Sequence, residues 1–273
     1  MYNEILGREV EVPESPQRVV SFSPAVTETL FMIGLGDAIA GVSAFCARPA
    51  EARLKRRVGS YNTVSDELLA GMKPDLIFTV TGYQRDFAVR LSDKFPVYPL
   101  ELPVSVGGIA DLVVKVGLVA GAAERARELA GSLLRRLASL ESGRALRSYV
   151  EMDLGGAVTF GAYSYITDAI RFLGSSTIFE GRGAEWLTPD QDEVRKEDPD
   201  VIFYEPKMFS SFGKQDLARL VEVRGWGSMR AVGEGNLFVT PGPLDFLAHH
   251  GPSFIMQGMP WLSDRLAEAS TRI

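Results

Sequence analysis

The sequence predicts an α/β protein of two βα lobes joined by a helix, and three observations lead there. Short apolar, β-rich runs alternate with helical runs along nearly all of the 273 residues. A helix–Pro-Asp–strand unit occurs once in each half: Lys73-Pro74-Asp75 before Leu76-Ile77-Phe78, and Asp198-Pro199-Asp200 before Val201-Ile202-Phe203. Proline cannot continue a helix, so each unit reads as a helix stop followed by a buried-type strand. Between the halves, residues 122–140 run without proline and place Ala126, Leu129, Leu133, Leu137 and Leu140 on one helical face. A weak internal repeat of βα lobes around a central helix accounts for all three.

The elements follow in order. Residues 18–22 read as a strand after a Pro-rich lead-in. Ser23-Pro24 breaks it, and residues 27–33 read as a helix ending at Gly34. Residues 38–43 form a second strand. Ser65 is a natural N-cap for a helix opening on Asp66-Glu67, which Lys73-Pro74-Asp75 stops before a strand at 76–80. Residues 85–94 are helical, and prolines limit a strand at 97–100. A helix at 109–119 is interrupted by Gly121, and the amphipathic run that follows has Gly143 as its stop. The alternation then restarts: strand 147–154, helix 165–173 stopped by Gly174, short strand 177–180 and short helix 192–197. Strand 201–204, helix 215–223, strand 236–240 and a final helix 253–269 complete the chain. The lobes therefore span 1–118 and 144–273, with a connecting helix at 119–143.

Composition bounds the function. The chain is 46% hydrophobic and 23% charged, as folded proteins are. Its 29 Lys+Arg against 35 Asp+Glu give a net charge of −6, which disfavours nucleic acid and anionic membrane surfaces as partners. The longest stretch free of Asp, Glu, Lys and Arg, residues 246–263, holds two His, two Pro and two Gly, so it predicts no membrane span. Cys46 is the only cysteine, which leaves no intrachain disulfide and no cysteine zinc site. The N-terminus shows no basic stretch followed by an apolar run. The chain is thus either a trimmed mature form or a cytosolic protein.

Catalytic signals are weak. Gly-x-Ser-x-Gly, the phosphate-binding Gly-x-x-x-x-Gly-Lys-Ser/Thr and Gly-x-Gly-x-x-Gly are all absent, and Gly181-Arg182-Gly183 and Gly225-Trp226-Gly227 are only fragments. Cys46 reads as a small filler, or as a thiol whose pKa the nearby Arg48 lowers. His249-His250 read as structural or cleft-lining side chains, or as metal ligands. Aromatics are the stronger signal. Phe45, Tyr61, Tyr83, Phe160, Tyr163, Tyr165, Trp186, Phe209, Phe212 and Trp226 cluster at predicted connections. Such loops are where open α/β sheets bind ligands, although aromatics also cap lobe cores.

The run Arg18-Val19-Val20-Ser21-Phe22-Ser23-Pro24-Ala25-Val26-Thr27-Glu28-Thr29-Leu30, with Ile33-Gly34-Leu35, Ala40-Gly41-Val42-Ser43, Arg48-Pro49 and the paired Pro-Asp units, resembles the helical-backbone (class III) substrate-binding proteins of ABC importers. That family carries cobalamin, ferric siderophores and haem. The resemblance covers nearly the whole chain and implies two Rossmann-like βα lobes on a long rigid interdomain helix, no enzyme activity, an extracytoplasmic location, and a monomer that delivers a small molecule to a permease dimer. The cobalamin-binding branch is the nearest likeness. Tyr61 precedes the helix-opening Glu67 by six residues, and Trp186 precedes Asp192 by six, as the branch's motif does. By that likeness Tyr61 and Trp186 touch a corrinoid from opposite lobes. Phe45, Thr81, Tyr83, Phe160 and Tyr163 match ligand-side segments, and His249 and His250 fall near a further one, either being a conceivable axial ligand to cobalt or haem iron.

The resemblance also implies permease-docking carboxylates at Glu67 on the first lobe and at Asp192 or Glu193 on the second. Helix-dipole chemistry would equally place acids there. Three alternatives stand beside the corrinoid carrier. The first is a siderophore or haem carrier of the same family, with Arg48, Arg85 and Arg182 available for an anionic chelate. The second is a metal-dependent lyase or chelatase using His249, His250 and carboxylates. The third is a cytosolic corrinoid sensor.

Overall fold

The computed structural model describes residues 1–141, 143 and 145–273. The expected connecting helix, 119–143, includes Ser142, and Arg144 opens the expected second lobe; both lie outside the described residues. The chain forms two compact units. The first comprises Met1–Pro103, Gly107–Arg135 and His250–Pro252; the second comprises Val104–Val106, Arg136–His249 and Ser253–Ile273.

The first part of the chain runs β1 (Tyr2–Asn3), β2 (Arg8–Glu9), β3 (Val19–Ser21), α1 (Pro24–Met32), β4 (Ile39–Ser43), β5 (Arg57–Gly59), α2 (Asp66–Met72), β6 (Leu76–Val80), α3 (Arg85–Ser92), β7 (Val97–Leu100), α4 (Val106–Val119) and α5 (Ala123–Ala138). Among the described residues, the first unit carries a sheet in the order β5-β4-β3-β6-β7, with every neighbouring pair parallel. From the central β3 the chain goes one way to β4 and β5 and the other way to β6 and β7. Loops at the carboxyl ends beside such a reversal are the natural binding surface of an open sheet. Val20, Phe22, Leu69, Ile77 and Phe87 pack as a core beneath it.

The second part runs β8 (Arg147–Asp153), β9 (Ala157–Phe160), α6 (Tyr165–Phe172), β10 (Ser176–Thr177), β11 (Trp186–Leu187), α7 (Gln191–Glu197), β12 (Val201–Glu205), α8 (Lys214–Arg224), α9 (Arg230–Gly233), β13 (Leu237–Val239) and α10 (Met259–Ser270). β12 lies between β8 and β13, all parallel. β10 pairs with the start of β8, β9 runs antiparallel to its end, and β11 runs antiparallel to β9. Tyr149, Phe179, Ile202 and Trp226 are buried together in its core.

The internal repeat has a physical basis. Helices α2 and α7 end on Lys73 and Asp198, both left-handed, with φ of 49° and 41°. Proline follows, and then an aspartate that grips the start of the neighbouring strand. Asp75 accepts the Gln17 and Arg18 N–H groups at 2.7 and 3.0 Å, and Asp200 accepts that of Arg147 at 2.7 Å. Arg18 and Arg147 in turn donate to helix-end carbonyls, those of Met72 and of Glu197. One device sets the strand register in both units.

Several predicted boundaries are corrected. Ser23-Pro24 opens helix α1 rather than merely breaking the strand: Ser23 Oγ accepts the Val26 N–H, and Pro24 takes the first-turn position where its missing N–H costs nothing. α4 begins at Val106, whose N–H donates to Asp168 at 2.8 Å. α5 ends at Ala138, so Gly143 does not cap it; the Gly143 N–H instead donates to the Leu173 carbonyl at 2.9 Å. The strand expected at 177–180 is only Ser176–Thr177, because Phe179 turns into the core. The final helix stands where expected, at 253–269, but opens on a π-helical stretch, Phe254–Gly258, that continues as α10 with Pro260 in its first turn. Strands β5, β9 and β11 and helix α9 have no counterpart in the sequence reading, being too short to show a period. Gly121 does break the helical run as expected. Its φ is +73°, and a Cβ there would meet the Glu14 carbonyl oxygen at 2.0 Å.

Candidate functional site

In the first unit the expected ligand residues follow the carboxyl ends of parallel strands. Phe45 follows β4, Tyr61 follows β5, and Thr81 and Tyr83 follow β6. The Phe45 and Tyr61 rings meet edge to face, with centroids 6.3 Å apart. Phe45 and Tyr83 are exposed, and Tyr61 and Thr81 are half-buried. The side chain that organises this surface is Gln84, which carried no motif in the sequence. It is buried, accepts the Val80 N–H at 2.8 Å, and donates to the Phe22 carbonyl at 3.1 Å and to that of Tyr61. A single amide thus ties the Tyr61 loop to the ends of β3 and β6. Thr81 Oγ1 accepts the Leu102 N–H at 2.8 Å.

In the second unit Phe160 and Trp186 are register partners across β9 and β11. Beyond them the two chains stay zipped: Ala162 N–H donates to Arg182 O at 2.7 Å, and Tyr163 N–H to Ala184 O at 3.0 Å. Gly161 permits this approach, since a Cβ there would lie 2.5 Å from the Ala184 carbonyl oxygen. Tyr163 is exposed, Trp186 half-buried, and Phe160 buried at the strand end rather than displayed on a turn. Burial pushes the Glu185 carboxyl, beside Trp186, up to about 7.

His249 and His250 are both buried, and the boundary between the units passes between them. His249 Nδ1 lies 3.6 Å from Asp245. The segment before them is clasped by Glu205, the last residue of β12. Its carboxylate accepts the N–H groups of Phe246 at 3.0 Å, of Leu247, and of Ala248 at 3.1 Å. Burial nevertheless pushes Glu205 up to about 7, against those three bonds. The sequence reading passed over Glu205, because an acid at the end of an apolar strand reads as a solvated strand end. Among the described residues, no group of three or more His, Cys, Asp and Glu side chains is arranged to hold a metal ion.

Cys46 is fully buried and hydrogen-bonded with Thr27 and Ser43. Burial pushes its thiol up, so the reactive-thiol alternative is corrected to the filler reading. Arg57 is a guanidinium at this loop, donating to the Ser43 and Cys46 carbonyls at 2.7 Å each.

The helix-opening acids are equivalently placed. Glu67 lies two residues past the N-cap Ser65 of α2, and Asp192 two past the N-cap Asp190 of α7. Glu67 is exposed, and a 2.6 Å hydrogen bond from Ser65 holds its carboxyl below the usual range. Asp192 is exposed and paired with Arg195 of its own helix, whereas Glu193 is less exposed and engaged by Arg182. α7 is anchored from beneath by a polar network. Gln191 donates to Glu151 at 2.9 Å and accepts from Trp226 at 3.0 Å. Glu151, fully buried, also takes Tyr149 Oη–H at 2.6 Å and Arg224 Nε–H at 2.9 Å. Burial and this carboxylate push the Tyr149 phenol up.

Residues 19–244 match the periplasmic binding protein family. The chain belongs to that family. A vitamin B12-binding protein of Yersinia pestis is 24% identical over 195 residues, 69% of each chain. Among solved structures, the periplasmic vitamin B12 binding protein of Vibrio cholerae is similar with a TM-score of 0.72 at 21% identity, covering 93% of this chain and 98% of that one. The periplasmic heme-binding protein of Roseiflexus sp. RS-1 gives 0.77 at 18% identity, covering 93% and 99%. At these identities the structural likeness establishes the fold. This periplasmic binding protein therefore has the mixed α/β fold that the sequence predicted, in a family of binding proteins. Among its described residues no helix is long and apolar enough to cross a membrane.

Proposed function

We propose that this periplasmic binding protein captures a corrinoid and delivers it to an ABC-importer permease, acting as a carrier and not as an enzyme. The observation that carries the reading is the paired arrangement of aromatics and acids. Tyr61 and Trp186 each stand four residues before a helix N-cap, and Glu67 and Asp192 each stand two residues after it. A corrin is a broad plate with apolar methyls and amide arms. Aromatic faces such as Phe45, Tyr61, Tyr83, Tyr163 and Trp186 suit the plate, and peptide groups at strand ends suit the amides. The 24% identical relative is named for vitamin B12, which supports the same cargo. Haem and ferric siderophores are the competing cargoes, with Arg48, Arg85 and Arg182 as the cations available to them.

The test is titration calorimetry with cyanocobalamin, haemin and ferrichrome in parallel. The reading expects cyanocobalamin to bind most tightly, and Trp186→Ala to weaken it by about tenfold, the scale of one lost aromatic contact. Binding of haemin or ferrichrome alone transfers the function to that cargo. Binding of none removes it.

A further inference from the structure

We propose that Phe209 is a further cargo-contacting residue, the second unit's counterpart of Tyr83; this rests on the carrier reading above. Three described residues other than glycine adopt a positive φ: Lys73, Asp198 and Phe209. Lys73 and Asp198 end helices α2 and α7, where a left-handed residue completes the cap. Phe209 ends no helix. It occupies the third position of a turn that the Ser210 N–H closes on the Lys207 carbonyl at 3.0 Å, with φ of 67°. That position calls for Gly or Asn, and a bulky side chain there costs roughly 1–3 kcal/mol.

Such strain persists only where the surroundings over-determine it. Here they do. The Phe209 N–H donates to the Pro243 carbonyl at 2.6 Å, and Ser210 Oγ donates to Lys207 O at 2.5 Å. The loop that carries Pro243 is itself held by Glu205 through the N–H groups of residues 246–248. The loops after β12 and β13 are therefore joined into one piece at the carboxyl end of the sheet, and Phe209 is presented from it. The residue is 56% exposed, so core packing does not explain why phenylalanine stands where glycine would fit.

The internal repeat supplies the second line of argument. β6 and β12 both follow the left-handed cap, proline and aspartate, and each lies next to the first strand of its parallel set, β3 or β8. Three residues past β6 comes Tyr83, also 56% exposed, preceded by Gly82 with φ of +74°. Four residues past β12 comes Phe209. The two aromatics leave equivalent strands at the position where open α/β sheets meet ligands. Phe209 thus offers a flat apolar face for a planar cargo, while Phe212, three residues on, packs at 5.3 Å against Tyr204 and serves the core.

The experiment compares Phe209→Gly, Phe209→Ala and Phe209→Tyr with the parent protein, by calorimetry against cyanocobalamin and haemin and by thermal melting. We expect Phe209→Gly to melt no lower than the parent, because glycine relieves the strain, and to bind whichever cargo the parent binds about tenfold more weakly. Phe209→Ala should weaken binding equally, and Phe209→Tyr should restore it. Unchanged affinity in Phe209→Gly, with the parent binding, overturns the assignment and leaves the carrier reading intact. A lowered melting temperature for Phe209→Gly also overturns it, since the ring would then be structural. A parent that binds neither of these probes nor ferrichrome overturns both.

Discussion

Glu205 shows how one buried side chain sets both the shape and the pH response of a loop. Its carboxylate meets three successive N–H groups, an arrangement suited to the ionised form, yet burial raises it to about 7. The folded state therefore keeps a proton that the unfolded chain releases near the usual carboxylate range. The resulting stability is fully present below about pH 4.5 and is lost as pH rises to about 7. Glu185 acts in the same direction, also for reasons of burial. We predict that melting temperature falls from pH 4.5 to 7 more steeply in the parent than in Glu205→Gln, where the group cannot ionise. Parallel melting curves for the two proteins would refute this role. Gln84 is the neutral counterpart in the first unit: it ties the Tyr61 loop to two strand ends without any response to pH.

At the scale of elements, the Pro-Asp repeat couples a helix end to a strand start. The two left-handed caps differ in one respect that can be tested. Lys73 caps through its backbone, whereas Asp198 also accepts the Arg230 N–H at 3.0 Å through its carboxylate. Relief of a left-handed residue by glycine gains about 1–2 kcal/mol, and the freer unfolded chain returns about 0.4–1 of it. Lys73→Gly should therefore stabilise by about 0.5 kcal/mol, while Asp198→Gly should not, because it removes a hydrogen bond worth about 1.5 kcal/mol or more. Denaturant titration distinguishes them; equal effects would mean the Asp198 carboxylate contributes nothing. The α7 N-terminus rests on the Gln191–Glu151 network, and the α2 N-terminus on Ser65. The sequence announced the Ser65 cap through its spacing. The network was silent because its members, Tyr149, Glu151, Gln191, Arg224 and Trp226, are scattered along the chain and converge only on folding.

For the whole molecule, the carrier reading separates two duties that the repeat distributes over both units: aromatics before the N-caps for the cargo, acids after them for the permease. With the permease reconstituted in vesicles, Glu67→Ala and Asp192→Ala should each lower cargo uptake by about fivefold or more without changing cargo affinity, since charges at a docking rim act on association. Uptake equal to the parent's in the double variant would remove the docking role. Asp192 is the better candidate of the acidic pair: each acid pairs with an arginine, but the Asp192 side chain is 87% exposed against 35% for Glu193.

The sequence by itself determined the α/β class, the strands at 76–80 and 97–100 residue for residue, the Ser65 cap and the two-fold repeat. These depend on local chemistry: apolar runs, proline as a stop, and hydroxyl or carboxylate caps. It also placed Phe45, Tyr61, Tyr83, Tyr163 and Phe209 in loops, which can be read in order along the chain, whereas Phe160 and Trp186 lie in strands, Tyr165 in α6 and Trp226 in the core. Only the tertiary structure decided what holds those positions. The edge contact of Phe45 with Tyr61, the register of Phe160 with Trp186, the clasp of Glu205 on residues 246–248 and the left-handed Phe209 all join segments distant in sequence, or depend on a backbone angle that composition does not encode. A local pattern specifies where a strand ends; which side chain its loop then presents is set by hydrogen bonds that exist only once neighbouring strands have paired.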